Sequence, residues 1–201
     1  ADPVLTTEPV SKDKVDEIFK IENISENGEY IGVNIRNWKH SNDLESQLAE
    51  SLEHIYNTYK LIPVFIPMYQ SDMDVIKVTG EKMKIPYIIL SKIYEPEELI
   101  GIIGRMRLVI AMRLHTLIYS SITATPMVGL IYDPKVKGYL DYIEQRAAGN
   151  VENIRSEMIN DRVREIMDNY SECKIKLDNI MKDMKKKAKD NVKLAYELLQ
   201  S

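Results

Sequence analysis

The chain has 201 residues, 44% of them hydrophobic and 29% charged, a composition that describes one ordinary globular domain or a small pair. Its net charge of -4 provides no global basic field of the kind nucleic-acid binders use, and Cys173, the sole cysteine, excludes an intramolecular disulfide and an all-cysteine metal site. No apolar run approaches the roughly 18 residues a membrane-spanning helix needs, and the opening Ala1-Asp2-Pro3-Val4 has neither an initiator methionine nor a signal-peptide pattern, so the expectation is a cytoplasmic fragment whose preceding half has been removed.

Hydrophobic periodicity predicts a helix over Lys12 to Ile21 and then a strand over Tyr30 to Ile35. Ser41 offers an N-cap for a helix with Leu44, Leu48, Leu52 and Ile55 on one face. A second strand is expected over Leu61 to Ile66, followed by a helix from Ser71 to Met83 whose first turn holds Asp72 and Asp74, where carboxylates suit the helix dipole. The third strand is Tyr87 to Leu90. Pro96, Glu97 and Glu98 begin a helix that Gly104 closes, ahead of a fourth strand at Leu108 to Met112. A helix over Arg113 to Thr123 and a fifth strand over Met127 to Ile131 complete the series.

Strands alternating with helices imply βαβ units, and hence a doubly wound, Rossmann-like α/β fold with a parallel sheet. In the order 3-2-1-4-5-6, strands 1 and 4 flank the topological switch point, where such folds bind ligands at the carboxyl edge. Arg36, Arg113, His115 and Lys135 all follow predicted strands, so they converge there, with Arg36 facing Arg113. His115 falls in the first turn of its helix, where free N–H groups favour an anion. Three fixed positive charges and a histidine suit a small, multiply charged anion.

Any one of these cations, taken alone, is as well explained by solvation or an ion pair; their joint placement is what favours a site. Trp38 and His40, after strand 1, are candidates for an acceptor pocket, whereas His54 lies inside an amphipathic helix and reads as structural. The sequence lacks a Gly-x-Gly-x-x-Gly or Walker loop, zinc-ligand spacing and a Gly-x-Ser-x-Gly elbow, which argues against NAD, ATP, metal and serine-hydrolase chemistry. Cys173, in a polar helical stretch, reads as structural.

The stretch Met112-Arg113-Leu114-His115-Thr116-Leu117-Ile118, the later Thr125-Pro126-Met127-Val128-Gly129-Leu130-Ile131-Tyr132-Asp133-Pro134-Lys135-Val136, and the upstream Gly32-Val33-Asn34-Ile35-Arg36-Asn37-Trp38 together resemble the polysaccharide pyruvyl transferases, particularly those of bacterial cell walls. The resemblance covers about residues 1 to 145. It implies that residues 1–201 form the Rossmann-like C-terminal domain of a GT-B-like two-domain enzyme, with the N-terminal half absent and the active site in the cleft between the halves.

The reaction it implies moves the enolpyruvyl group of phosphoenolpyruvate onto a sugar of a cell-wall polysaccharide, or its lipid-linked precursor, as a ketal, with release of phosphate and no cofactor. Carried onto this sequence, Arg36, Arg113, Leu114 and Lys135 bind the donor, His115 is the general acid, Lys135 also assists departure of phosphate, and no metal takes part. A nucleotide-sugar glycosyltransferase and a non-catalytic glycan- or partner-binding domain are the alternatives.

A long amphipathic helix is expected over residues 171–201, with Leu177, Met181, Met184, Ala188, Val192, Ala195 and Leu199 on one face. Residues 174 to 193 carry eight lysines against Asp178, Asp183 and Asp190, a net +5 against -9 for the rest of the chain. Such a helix can lie peripherally on an anionic membrane, or dock on its own domain with a solvated lysine face.

Overall fold

A computed structural model describes residues 3–38 and 43–200, with side chains over 4–38 and 43–188. Its centre is a six-stranded, all-parallel sheet in the order β3-β2-β1-β4-β5-β6. The strands are β1 (Tyr30–Asn34), β2 (Ile62–Phe65), β3 (Ile88–Ile89), β4 (Leu108–Ala111), β5 (Met127–Ile131) and β6 (Ala147–Asn150). The switch point falls between β1 and β4, paired from Ile31↔Leu108 to Asn34↔Ala111. The sequence-based strand order and the doubly wound fold class therefore hold.

Both faces of the sheet are covered, because alternate strand residues point to opposite sides. Ile31, Val33, Phe65, Leu108, Ile110, Val128 and Leu130 pack against α2 (Leu44–Tyr59), α3 (Met73–Lys82) and α7 (Ser156–Asp168). On the other face Tyr30, Val64, Val109, Ala111 and Met127 meet α1 (Lys12–Ile21), α4 (Pro96–Ile103), α5 (Leu114–Ile122), α6 (Pro134–Tyr142) and α8 (Tyr170–Gln200). Local chemistry starts these helices: Ser11 accepts the Lys14 amide before α1, and Glu95 and Glu98 form a reciprocal capping box around Pro96, where the sequence placed the start of α4. The expected cap at Ser41 lies outside the described residues.

The apolar face of α8 docks on its own domain: Leu177, Met181, Met184 and Ala188 are all buried in the core, and the helix packs on α5, α7 and the short 3-10 turn Pro3–Thr6. Through Ala188, then, the surface a membrane contact would use is already covered. Lys182 and Lys187 are exposed and pair with Asp178 and Asp183, both at 2.7 Å. Among the described residues no helix is long and apolar enough to cross a membrane.

Candidate functional site

The carboxyl ends of β1, β2 and β4 are tied together before any ligand is considered. Asn34, fully buried at the end of β1, donates its Nδ2 to the Ile66 carbonyl at 2.9 Å and accepts the Arg113 amide at 3.2 Å through Oδ1. One side chain thus holds the chain leaving β2 and the chain leaving β4 to the chain leaving β1. The Arg36 amide rests against Met112 Sδ at 3.5 Å across the same junction.

A cavity of about 250 Å³ opens at this edge, lined by Met68, Tyr69, Arg113, Leu114, His115, Tyr132, Asp133, Lys135 and Val136. Of the residues singled out from sequence, Arg113, Leu114, His115 and Lys135 meet there. Arg36 and Trp38 do not line it; they contact Tyr132, which does, and His40 lies outside the described residues. His115 and Lys135 are exposed, and no carboxylate among the described residues is within ion-pair distance of either. Arg113 caps α5 without a side-chain hydrogen bond to its first turn, whereas Asp133 caps α6 and accepts the Lys135 amide at 2.8 Å. The N-terminus of α5 is accordingly the more available of the two for an anion.

The two arginines do not face each other as the sequence suggested. Arg113, from β4, leans toward the β2 side: its Nε donates to Asp72 Oδ2 at 3.0 Å, its Nη2 to Oδ1 at 2.5 Å, and its Cζ lies 4.4 Å from the Tyr69 ring centroid. Arg36, from β1, leans the opposite way, its Cζ 5.0 Å from the Tyr132 centroid and 6.0 Å from that of Trp38. They reach past one another over the switch point, because each finds an aromatic ring on the far side. Trp38 and Tyr132 meet edge-on at 5.2 Å, which closes the pocket around the Arg36 guanidinium. Its buried Nε has no hydrogen-bond partner among the described residues.

Asp72 also departs from expectation. It precedes α3 but makes no side-chain cap on it; its fully buried carboxylate serves Arg113 and the Met68 and Tyr69 amides, both at 3.1 Å. One of the three expected positive charges is therefore matched in place. Tyr69, Tyr132 and Asp133 were not singled out from sequence; Tyr132 and Asp133 sit between β5 and α6, which is the signal that finds them, and Tyr69 lies in the connection from β2 to α3.

A larger cavity of about 410 Å³ lies at the amino edge of β5, between α7 and α8, and includes Met127, Arg146, Arg162, Glu165, Cys173 and Lys176. Its charges are largely spent on each other, in Arg162–Glu165 at 2.5 Å and Lys176–Glu144 at 2.7 Å. Burial, and then Glu172, push the Cys173 thiol up from its ordinary value. Among the described residues no three His, Cys, Asp or Glu side chains group as a metal site would need.

An open, doubly wound parallel sheet whose carboxyl edge gathers cations and a helix N-terminus at the switch point defines a Rossmann-like domain. Solved structures agree on the fold. The chain superposes on a glycosyltransferase from Rickettsia africae with a TM-score of 0.63 at 11% identity, covering 98% of this chain and 55% of that one. For S. aureus MnaA, solved with UDP, the values are 0.65, 9%, 84% and 44%. The C-terminal CMP-Kdo binding domain of WaaA from Acinetobacter baumannii gives 0.58 and 10%, with 84% of this chain covering 96% of that domain. The chain spans roughly half the length of the first two.

The family model for polysaccharide pyruvyl transferase matches residues 1–134, and the chain belongs to that family. No curated protein matches it in sequence.

Proposed function

We propose that this chain is the donor-binding, C-terminal half of an enzyme that transfers the enolpyruvyl group of phosphoenolpyruvate to a sugar of a cell-wall polysaccharide or its lipid-linked precursor. The observation that carries the reading is the small cavity in which Arg113, Leu114, His115 and Lys135 converge, beside the Arg36 guanidinium. A volume of about 250 Å³ falls below the roughly 300–1,000 Å³ usual for drug-sized ligands, and so favours a compact donor over a whole nucleotide sugar.

In this mechanism the free edge of Arg113 and the guanidinium of Arg36 hold the carboxylate and phosphate, for which planar bidentate donors are suited. The first amides of α5, at Leu114 and His115, add donors to the same anion. His115 delivers a proton to C3, which leaves C2 electron-poor. One sugar hydroxyl adds to C2; a second displaces phosphate, so two C–O bonds form and the C2–O phosphate bond breaks. Of the two hydroxyl protons released, one balances the proton gained by C3 and the other leaves on phosphate, toward which Lys135 directs its charge.

The acceptor would enter past Trp38 and Tyr69, from the side on which a GT-B partner domain would close. The reaction would run in the cytoplasm, with any peripheral membrane contact falling to the lysine face of α8, because its apolar face is covered through Ala188. A nucleotide-sugar donor is the second reading, favoured by the UDP and CMP-Kdo ligands named for MnaA and WaaA. Calorimetric titration with phosphoenolpyruvate and UDP-N-acetylglucosamine in parallel separates them. Selective phosphoenolpyruvate binding that Arg113→Ala weakens about tenfold or more supports the proposal; selective nucleotide-sugar binding overturns it.

A further inference from the structure

We propose that Asp72 and Tyr69 are positioning residues for Arg113, holding its guanidinium in one orientation before any ligand arrives. Asp72 fixes the group in its own plane through the paired contacts at 3.0 and 2.5 Å, and Tyr69 fixes the plane itself by stacking at 4.4 Å. The arginine side chain is 14% exposed and the aspartate 1%, so little water competes for either partner. A buried ion pair of this kind adds little net stability, since desolvating both charges offsets their attraction. Orientation is what such a pair provides.

Asp72 acts through Arg113, because its own buried carboxylate repels an anion and its contacts are to Arg113 and the Met68 and Tyr69 amides. An ionised carboxylate accepts about four hydrogen bonds, and Asp72 already receives two from Arg113 and one each from the Met68 and Tyr69 amides. Arg113 has five N–H groups and spends two on Asp72. Its remaining edge is a two-nitrogen fork of the geometry that carboxylates and phosphates accept.

Pure electrostatics predicts the opposite sign from positioning, which makes the idea testable. Asp72→Asn removes a negative charge beside an anion site and should tighten anion binding if charge alone matters. Either rotation of the new amide sets an NH2 against a donor, so the fork is released and phosphoenolpyruvate affinity should instead fall tenfold or more. In an Arg113→Ala background the same substitution should cost nothing further. Tyr69→Leu should lose a few-fold, the scale of one cation–π contact, and Tyr69→Phe, which keeps the ring, should lose less.

The donor readout rests on the proposed function, so a second measurement needs no donor. In the ligand-free chain the Arg113 Nε–H resonance, assigned by its loss in Arg113→Lys, should exchange slowly with water, and Asp72→Asn should abolish its protection. If the wild-type chain ignores phosphoenolpyruvate while the protected resonance behaves this way, the donor reading fails and the positioning role stands. Persistence of the protected resonance in Asp72→Asn, tighter anion binding by that variant, or equal losses with and without Arg113 would overturn the positioning role. Should Asp72→Asn fail to fold, unchanged protection and affinity in Tyr69→Leu would overturn the stacking half on its own.

Discussion

Replacing Arg36 by methionine should separate function from stability with opposite signs. The guanidinium gains about 0.5–1 kcal/mol from each of its contacts to Tyr132 and Trp38, at 5.0 and 6.0 Å. Against this stands the buried Nε, whose missing hydrogen bond costs about 1–3 kcal/mol. Methionine keeps an unbranched apolar side chain between the rings and removes the orphaned donor. The two effects nearly cancel, so Arg36→Met should unfold within about 1 kcal/mol of wild type, a shift of at most roughly 2–4 °C for a domain of this size. A charge-assisted hydrogen bond to the donor is worth about 1.5–3 kcal/mol, so phosphoenolpyruvate affinity should fall tenfold to about a hundredfold. Thermal unfolding and calorimetry on the same samples provide both numbers. Loss of more than about 2 kcal/mol of stability with unchanged affinity would show that Arg36 is a structural residue and refute this reasoning.

In the complete enzyme, His115→Ala should lower turnover by about 10²–10⁴-fold while donor binding changes little; near-normal phosphate release would remove His115 from the general-acid role. Gly129→Ala should destabilise the domain by about 1–3 kcal/mol, because its Cβ would sit 2.3 Å from Leu140 Cδ1 in the core, and chemical denaturation should show this with donor affinity intact. The Cys173 thiol, raised by burial and Glu172, should alkylate more slowly at pH 8 than a free cysteine; faster modification would contradict the packing of α7 against α8.

The strand order and the meeting of Arg113, Leu114, His115 and Lys135 were legible because both follow from local pattern: β-branched runs ending in a cation, repeated between amphipathic helices. β6 escaped, since Ala147-Ala148-Gly149-Asn150 has no β-branched or aromatic residue; the β5 edge recruits it by backbone pairing, with an irregular register at Gly129 and Leu130. The helices α6 and α7 were also left unread, although Ile159, Val163 and Ile166 recur at spacings of four and three in α7.

Arg113, His115 and Lys135 meet in one cavity at the carboxyl edge, whereas Arg36 lies beside it and the directions of the two arginines were not legible in the sequence. Asp72 and Arg113 stand 41 residues apart, and no periodicity links them. Its place just before α3 suggested a dipole role for Asp72, but Arg113, which pairs with no other carboxylate among the described residues, made the stronger claim on it. The crossing of Arg36 and Arg113 likewise depends on Tyr132 and Tyr69 lying on opposite sides of the switch point, which only the sheet order reveals.

The central claim is that the donor binds at the carboxyl edge of this chain, and backbone amide shifts during a phosphoenolpyruvate titration test it most directly. Saturable shifts at Tyr69, Leu114, His115, Tyr132 and Lys135, with Arg146 and Cys173 unmoved, are the predicted result. Shifts centred on Arg146 and Cys173, at the amino-edge cavity, would contradict it.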